Sequence, residues 1–78
     1  MNIKEYILYN FKNDNYKEIR NQITNSVSSN SESTLPGEGV IFELLWNNSD
    51  NELKDQIIET IRKAIIKETS IIIFFLLL

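Results

Sequence analysis

Apolar residues in this chain fall into groups at helical spacing, separated by short polar breaks. Ile3, Tyr6, Ile7 and Phe11 recur at intervals of three and four, with Lys4 and Glu5 turned outward, which predicts an amphipathic helix ending near Asn10. Asn13-Asp14-Asn15 interrupts the pattern. Asp14 or Asn15 can cap a second helix, Asn15 with Glu18 three positions on forming a partial capping box, ahead of a second stripe, Tyr16, Ile19, Ile23 and Val27. Ser26 and the run Ser28-Ser29-Asn30-Ser31-Glu32-Ser33-Thr34 then supply short side chains that compete for backbone hydrogen bonds, so the second helix is predicted to fray into a flexible loop.

The third segment places Thr34 or Leu35 near a helix N-cap and Pro36 in the first turn, with Glu38 toward the positive end of the helix dipole. From Val40 to Trp46 only Glu43 is polar, which favours a central helix, although so short a run also fits a buried strand. Asn47-Asn48-Ser49-Asp50 ends it, and Ser49 with Glu52 fits a capping box for a last helix. In that helix Leu53, Ile57, Ile61, Ala64 and Ile65 keep the period, with Glu59 four residues before Lys63 on the wet side. The expectation is an all-α fold, a small bundle of short helices over residues 1–68 as a single domain, with an atypical apolar tail over 69–78.

That tail contains eight consecutive apolar residues, Ile71 to Leu78, far short of the roughly 20 needed to span a bilayer. It reads in three ways: an added core strand or helix end, a membrane-interacting or partner-binding plug, or a terminus created by a shifted or extended reading frame. Left exposed, it is an aggregation hazard, being β-prone, uncharged and free of proline.

Composition narrows the chemistry. Seventy-eight residues allow one domain with a modest core, so the core must be efficient or be completed by a partner. The chain has no cysteine and no histidine, which excludes disulfides and removes the usual ligands of zinc, iron and copper. No cationic segment followed by an apolar stretch opens it, so a reducing cytoplasm is the expected compartment. Net charge is −3, near balance over residues 1–30. Glu32, Glu38 and Glu43 have no basic sequence neighbour and would repel a phosphate backbone, which weighs against nucleic-acid binding.

Catalytic equipment is missing as well. The serines cluster in turn-forming composition with no base beside them. Glu38 and Glu43 are spaced to lie on different helix faces, which spoils an acid/base pair or a hard-metal site. Asp50, Glu52 and Asp55 lack the glycine and closing glutamate of a calcium loop, and helix capping accounts for them better. Gly37-Glu38-Gly39 lacks the third glycine or Lys-Ser/Thr pair of a phosphate loop and carries a carboxylate within it. Tyr6, Tyr9, Phe11 and Tyr16 lie near Lys4, Lys12 and Lys17, but all except Tyr9 sit on the apolar stripes and are assigned to the core. Trp46 is assigned to the core too. No catalytic, cofactor-binding or metal-ligating residue is expected.

The run from Leu35 to Trp46 holds both glycines, the only proline and the only tryptophan. Its pattern, Leu-Pro-Gly-x-Gly-Val-x-Phe-Glu-x-x-Trp, followed by a polar turn and a charged amphipathic segment, resembles the I-type small acid-soluble spore proteins of spore-forming Firmicutes. Leu35, Pro36, Gly37, Gly39, Val40, Phe42, Glu43 and Trp46 match the family pattern, while Glu38 stands where an apolar residue is usual. The similarity covers residues 5–67 and has no counterpart for Ile71 to Leu78. It implies a non-enzymatic protein made in the forespore and held in the dormant spore core, with a structural or protein-interaction role through self-association or another core protein. The motifs of the DNA-coating α/β-type spore proteins are absent. The rival readings are a DNA-associated protein of the spore nucleoid and a small membrane-associated protein using Ile71 to Leu78.

Overall fold

Local capping fixes where each helix begins. In the computed structural model, which describes residues 1–78, the elements are α1 (Ile3–Phe11), α2 (Tyr16–Ser29), a single 3-10 turn (Glu32–Thr34), α3 (Leu35–Asn47) and α4 (Asn51–Leu77). Asn2 Oδ1 accepts from the Glu5 amide at 2.8 Å, and the Glu5 carboxylate accepts from the Asn2 amide at 3.4 Å. Asn15 and Glu18 repeat the arrangement at 2.9 and 3.5 Å, completing the box that the sequence half showed. Each box satisfies two amides that a helix N-terminus otherwise leaves without partners. The all-α expectation holds, and the Val40 to Trp46 run is helix rather than strand.

Two local expectations change, at the end of α2 and at the start of α4, while the end of α1 and the helical tail fall within what the sequence allowed. α1 runs one residue past Asn10, to Phe11. α2 persists through Ser29 instead of fraying at Ser26, because the Ser29 hydroxyl donates to the Ser26 carbonyl at 2.7 Å and Asn30 then closes the helix at φ 48°, ψ 41°. Asparagine tolerates this left-handed conformation better than most residues, which makes it a common helix stop. The start of α4 is set by Asp50, whose carboxylate accepts from the Leu53 amide at 2.9 Å. Ser49 therefore lies one residue outside the cap, and Glu52 falls at the second helical position, too early to close a box on Ser49. Finally, the apolar tail is helical and continuous with α4.

The chain divides into two compact units, Met1–Asn47 and Asn48–Leu78. In the first, α1 packs on α3. Ile7 Cδ1 lies 3.3 Å from where a Cβ on Gly37 would stand, so the missing side chain lets α1 seat closely. Both glycines of the motif have ordinary negative φ, so their use is close approach or none, not a sharp turn. Lys4 Nζ meets Glu43 Oε1 at 3.3 Å, giving Glu43 a basic partner 39 residues away that the linear sequence hid. Both side chains are more than half exposed, so the pair adds at most about 1 kcal/mol and mainly fixes register. Tyr9, unassigned from the sequence, has Lys12 Nζ over its ring at 4.4 Å.

No side chain in the protein is fully buried. Ile7, Phe11, Ile23, Ile41 and Trp46 are half-buried, whereas Tyr6 and Tyr16, assigned to the core, are exposed, Tyr16 at 79%. Trp46 stacks on Phe42 with ring centroids 6.3 Å apart. Three short helices of 9, 14 and 13 residues have too little surface to enclose one another's apolar stripes.

The second unit contains one helix, α4, of 27 residues and about 40 Å. Arg62 forks onto Glu59 through Nε at 3.2 Å and Nη2 at 2.9 Å, and Lys63 approaches the same carboxylate at 3.9 Å. The Glu59 hydrogen bond raises the Arg62 guanidinium above its usual pKa, so it stays charged at any pH the protein meets. Thr60 and Ser70 donate their hydroxyl protons to the Gln56 and Ile66 carbonyls at 2.9 and 2.8 Å, so neither breaks the helix.

Two stability outcomes follow from these contacts. Replacing the α2 cap, Asn15→Ala, is expected to cost about 1 kcal/mol in urea unfolding followed by far-ultraviolet circular dichroism; unchanged stability would contradict the box. At Gly39 an added Cβ meets nothing within 4 Å, so Gly39→Ala should stabilise by about 1 kcal/mol. Gly37→Ala should gain clearly less or lose, because Ile7 must give way; equal gains at both positions would refute the close approach.

Candidate functional site

The incomplete enclosure of unit one leaves an open apolar groove of about 570 Å³. α1 contributes Ile3, Tyr6, Ile7 and Phe11, α2 contributes Ile23 and Val27, and α3 contributes Ile41, Phe42 and Leu45. These are the periodic stripes of the three helices, turned toward one another without meeting closely enough to exclude solvent. Val27, Phe42 and Leu45 are exposed at 62, 47 and 44%, so apolar surface continues from the floor onto the rim.

One end of the groove is polar and built from Ser26, Thr34 and Glu38. The Ser26 hydroxyl donates to Glu38 Oε1 at 3.1 Å. Thr34 Oγ1 has three acceptors in reach, the Ser31 carbonyl at 2.8 Å, Glu38 Oε1 at 3.2 Å and the Ser26 carbonyl at 3.4 Å. A hydroxyl carries one proton, so these contacts alternate or share it. Together they tie the end of α2, the 3-10 turn and the first turn of α3. They also explain how Glu38 is accommodated: it accepts from two hydroxyls while sitting near the α3 N-terminus.

The residues of the Leu35 to Trp46 motif separate by helix face. Pro36, Gly37 and Phe42 line the groove. Leu35 is exposed, Gly39 faces open space, Val40 and Trp46 are half-buried away from the groove, and Glu43 lies outside it in its pair with Lys4. Glu38 and Glu43 are thus held by different partners and do not form a carboxylate pair. No three acidic side chains gather as a metal-holding group. The groove can hold apolar surface, with hydrogen-bonding groups at one end. Its α1 and α2 walls were foreshadowed only by the stripes Ile3 to Phe11 and Tyr16 to Val27, a pattern that does not distinguish a closed core from an open cleft. Along the chain, no helix is long and apolar enough to cross a membrane.

Comparison with known proteins places the sequence in a family. The family model described as small, acid-soluble spore protein I matches residues 1–65. Proteins of that name are similar to this chain: one from Halalkalibacterium halodurans is 34% identical over 64 residues, covering 82% of this chain and 94% of the relative. One from Geobacillus kaustophilus is 29% identical over 65 residues, covering 83% and 94%. One from Bacillus cereus is 30% identical over 66 residues, covering 85% and 96%. No solved structure matches the chain. The matched region takes in α1, α2, the groove, α3 and the first half of α4, and the chain belongs to the small, acid-soluble spore protein I family.

Proposed function

We propose that this protein is a non-enzymatic component of the dormant spore core, made during sporulation, that acts by packing its open groove against a second copy of itself. The observation that carries the reading is the groove: a continuous apolar floor and rim whose polar end is already occupied with internal hydrogen bonds. Unit one has 47 residues, a size at which domains without disulfides or metals are marginal, and it has no cysteine. Because the same patch has a concave floor and protruding rim side chains, it suits a two-fold interface in which each copy gives and receives the same surface. The two carboxylates of α3 are both engaged, Glu38 by Ser26 and Thr34 at the groove's end and Glu43 by Lys4 outside it, which supports a binding rather than a catalytic role.

Charge weighs against the DNA-associated reading. The chain is net −3, Lys4 is paired with Glu43, and Lys12 sits over Tyr9. A duplex DNA mobility shift at low ionic strength that disappears with salt would favour DNA over self-packing.

The biological part is checked by intact-mass spectrometry of dilute-acid extracts. The protein is expected in dormant spores and not in growing cells; finding it in growing cells would undo the assignment. For the molecular part, sedimentation velocity should show a dimer that Phe42→Asp weakens at least tenfold. A monomer at all concentrations, or association that the substitution leaves intact, would contradict the groove as the contact.

A further inference from the structure

The last two turns of α4 pose a different physical problem from the groove. Ile71 to Leu78 are apolar at every position, and successive helical residues are about 100° apart, so apolar side chains surround the axis. All are exposed, from 43% at Ile71 to 86% at Leu78. A second helix covers one stripe of such a tip. Lipid covers every side.

Three further observations point the same way. Ile71 to Leu78 span about 12 Å as a helix, against about 30 Å for the hydrocarbon core, a length that fits within one leaflet. The nine residues before it carry Arg62, Lys63 and Lys67, all exposed, with Glu68 as the one acidic residue among them and Glu59, further back, already engaged. Lys67 has no ion-pair partner, and its long apolar stem lets its charge reach headgroups while the backbone below is immersed. Ser70, at the boundary, donates its proton to the Ile66 carbonyl, so its hydroxyl carries no unmet donor into an apolar medium.

We propose that the C-terminal part of α4 is a lipid-inserting segment: Ile71 to Leu78 enter one leaflet of an anionic bilayer while Arg62, Lys63 and Lys67 lie at its headgroups. The helix enters obliquely. Upstream, Glu59, Arg62, Lys63 and Lys67 share one face, with Ile66 among them, and Ile57, Ile61 and Ile65 the other, with Glu68 among them, so this mixed stretch lies at headgroup depth and only the tip enters the hydrocarbon. The last carbonyls of α4 have no amide donors in the helix, and an upright tip would bury them toward the bilayer midplane. The segment lies beyond residues 1–65, the part shared with the family, so this property is separate from the groove and from spore packing.

Flotation of the full-length protein with vesicles of phosphatidylglycerol and phosphatidylethanolamine, and with phosphatidylcholine alone, tests it. The protein is expected to float with the anionic vesicles. Lys67→Glu should lower the partition coefficient several-fold there and little on phosphatidylcholine, and the double variant Phe74→Glu, Leu77→Glu should lower it at least tenfold on both. Circular dichroism of each variant without lipid controls for loss of the helix. Failure of the wild type to float with either vesicle overturns the proposal, as does undiminished flotation of the double variant. So would a tip-dependent oligomer in buffer that persists with vesicles and does not float, because it would assign the tip to a protein partner.

Discussion

Ile7 meets α3 where α3 has no side chain, at Gly37, and the arrangement of unit one depends on that contact. With α1 seated there, Lys4 comes within reach of Glu43, and the remaining apolar side chains of α1 face α2 across a gap. The groove is therefore a consequence of how the helices are held, not a defect of packing at one residue. A Cβ at position 37 would meet Ile7 Cδ1 at 3.3 Å, so that side chain, part of the groove's lining, would have to shift by a few tenths of an ångström. Fold and candidate site share one constraint.

A second tie holds the other side. Glu38 accepts from Ser26 and Thr34 and so joins the end of α2 to the start of α3. The serine-rich connection is thereby ordered into a 3-10 turn and a helix start, instead of spanning the gap as a free loop. Unit two differs in kind. It holds a single long helix whose first half belongs to the family match and whose last turns do not.

Much of this was legible in the sequence because the signals were local. Helical periodicity placed α1, α2 and the first part of α4, the apolar run from Val40 to Trp46 favoured α3 while leaving a strand open, and Asn15 with Glu18 marked the start of α2. The errors came where a local signal had a local competitor. Asp50 outcompeted Ser49 as the cap, since a carboxylate accepts the helix-end amides more strongly and complements the dipole. Asn30 and Ser29 carried α2 past the position where serine content alone suggested fraying. What the sequence could not supply was long-range. Glu43 seemed unpaired until Lys4 was brought to it, and stripes that implied a closed core line an open cleft, because a periodic pattern gives the direction of an apolar face and not whether its neighbours suffice to cover it.

On the proposed packing of groove against groove, this fold is completed by association. Thermal unfolding of the full-length protein over a hundredfold range of concentration tests that most directly, since binding that favours only the folded chain makes Tm depend on concentration. Completion by a second copy predicts a Tm that rises with concentration by roughly 5 °C or more across the range. A Tm that stays constant while the chain remains helical would show that the helices are stable with the groove left open, and would contradict the central claim.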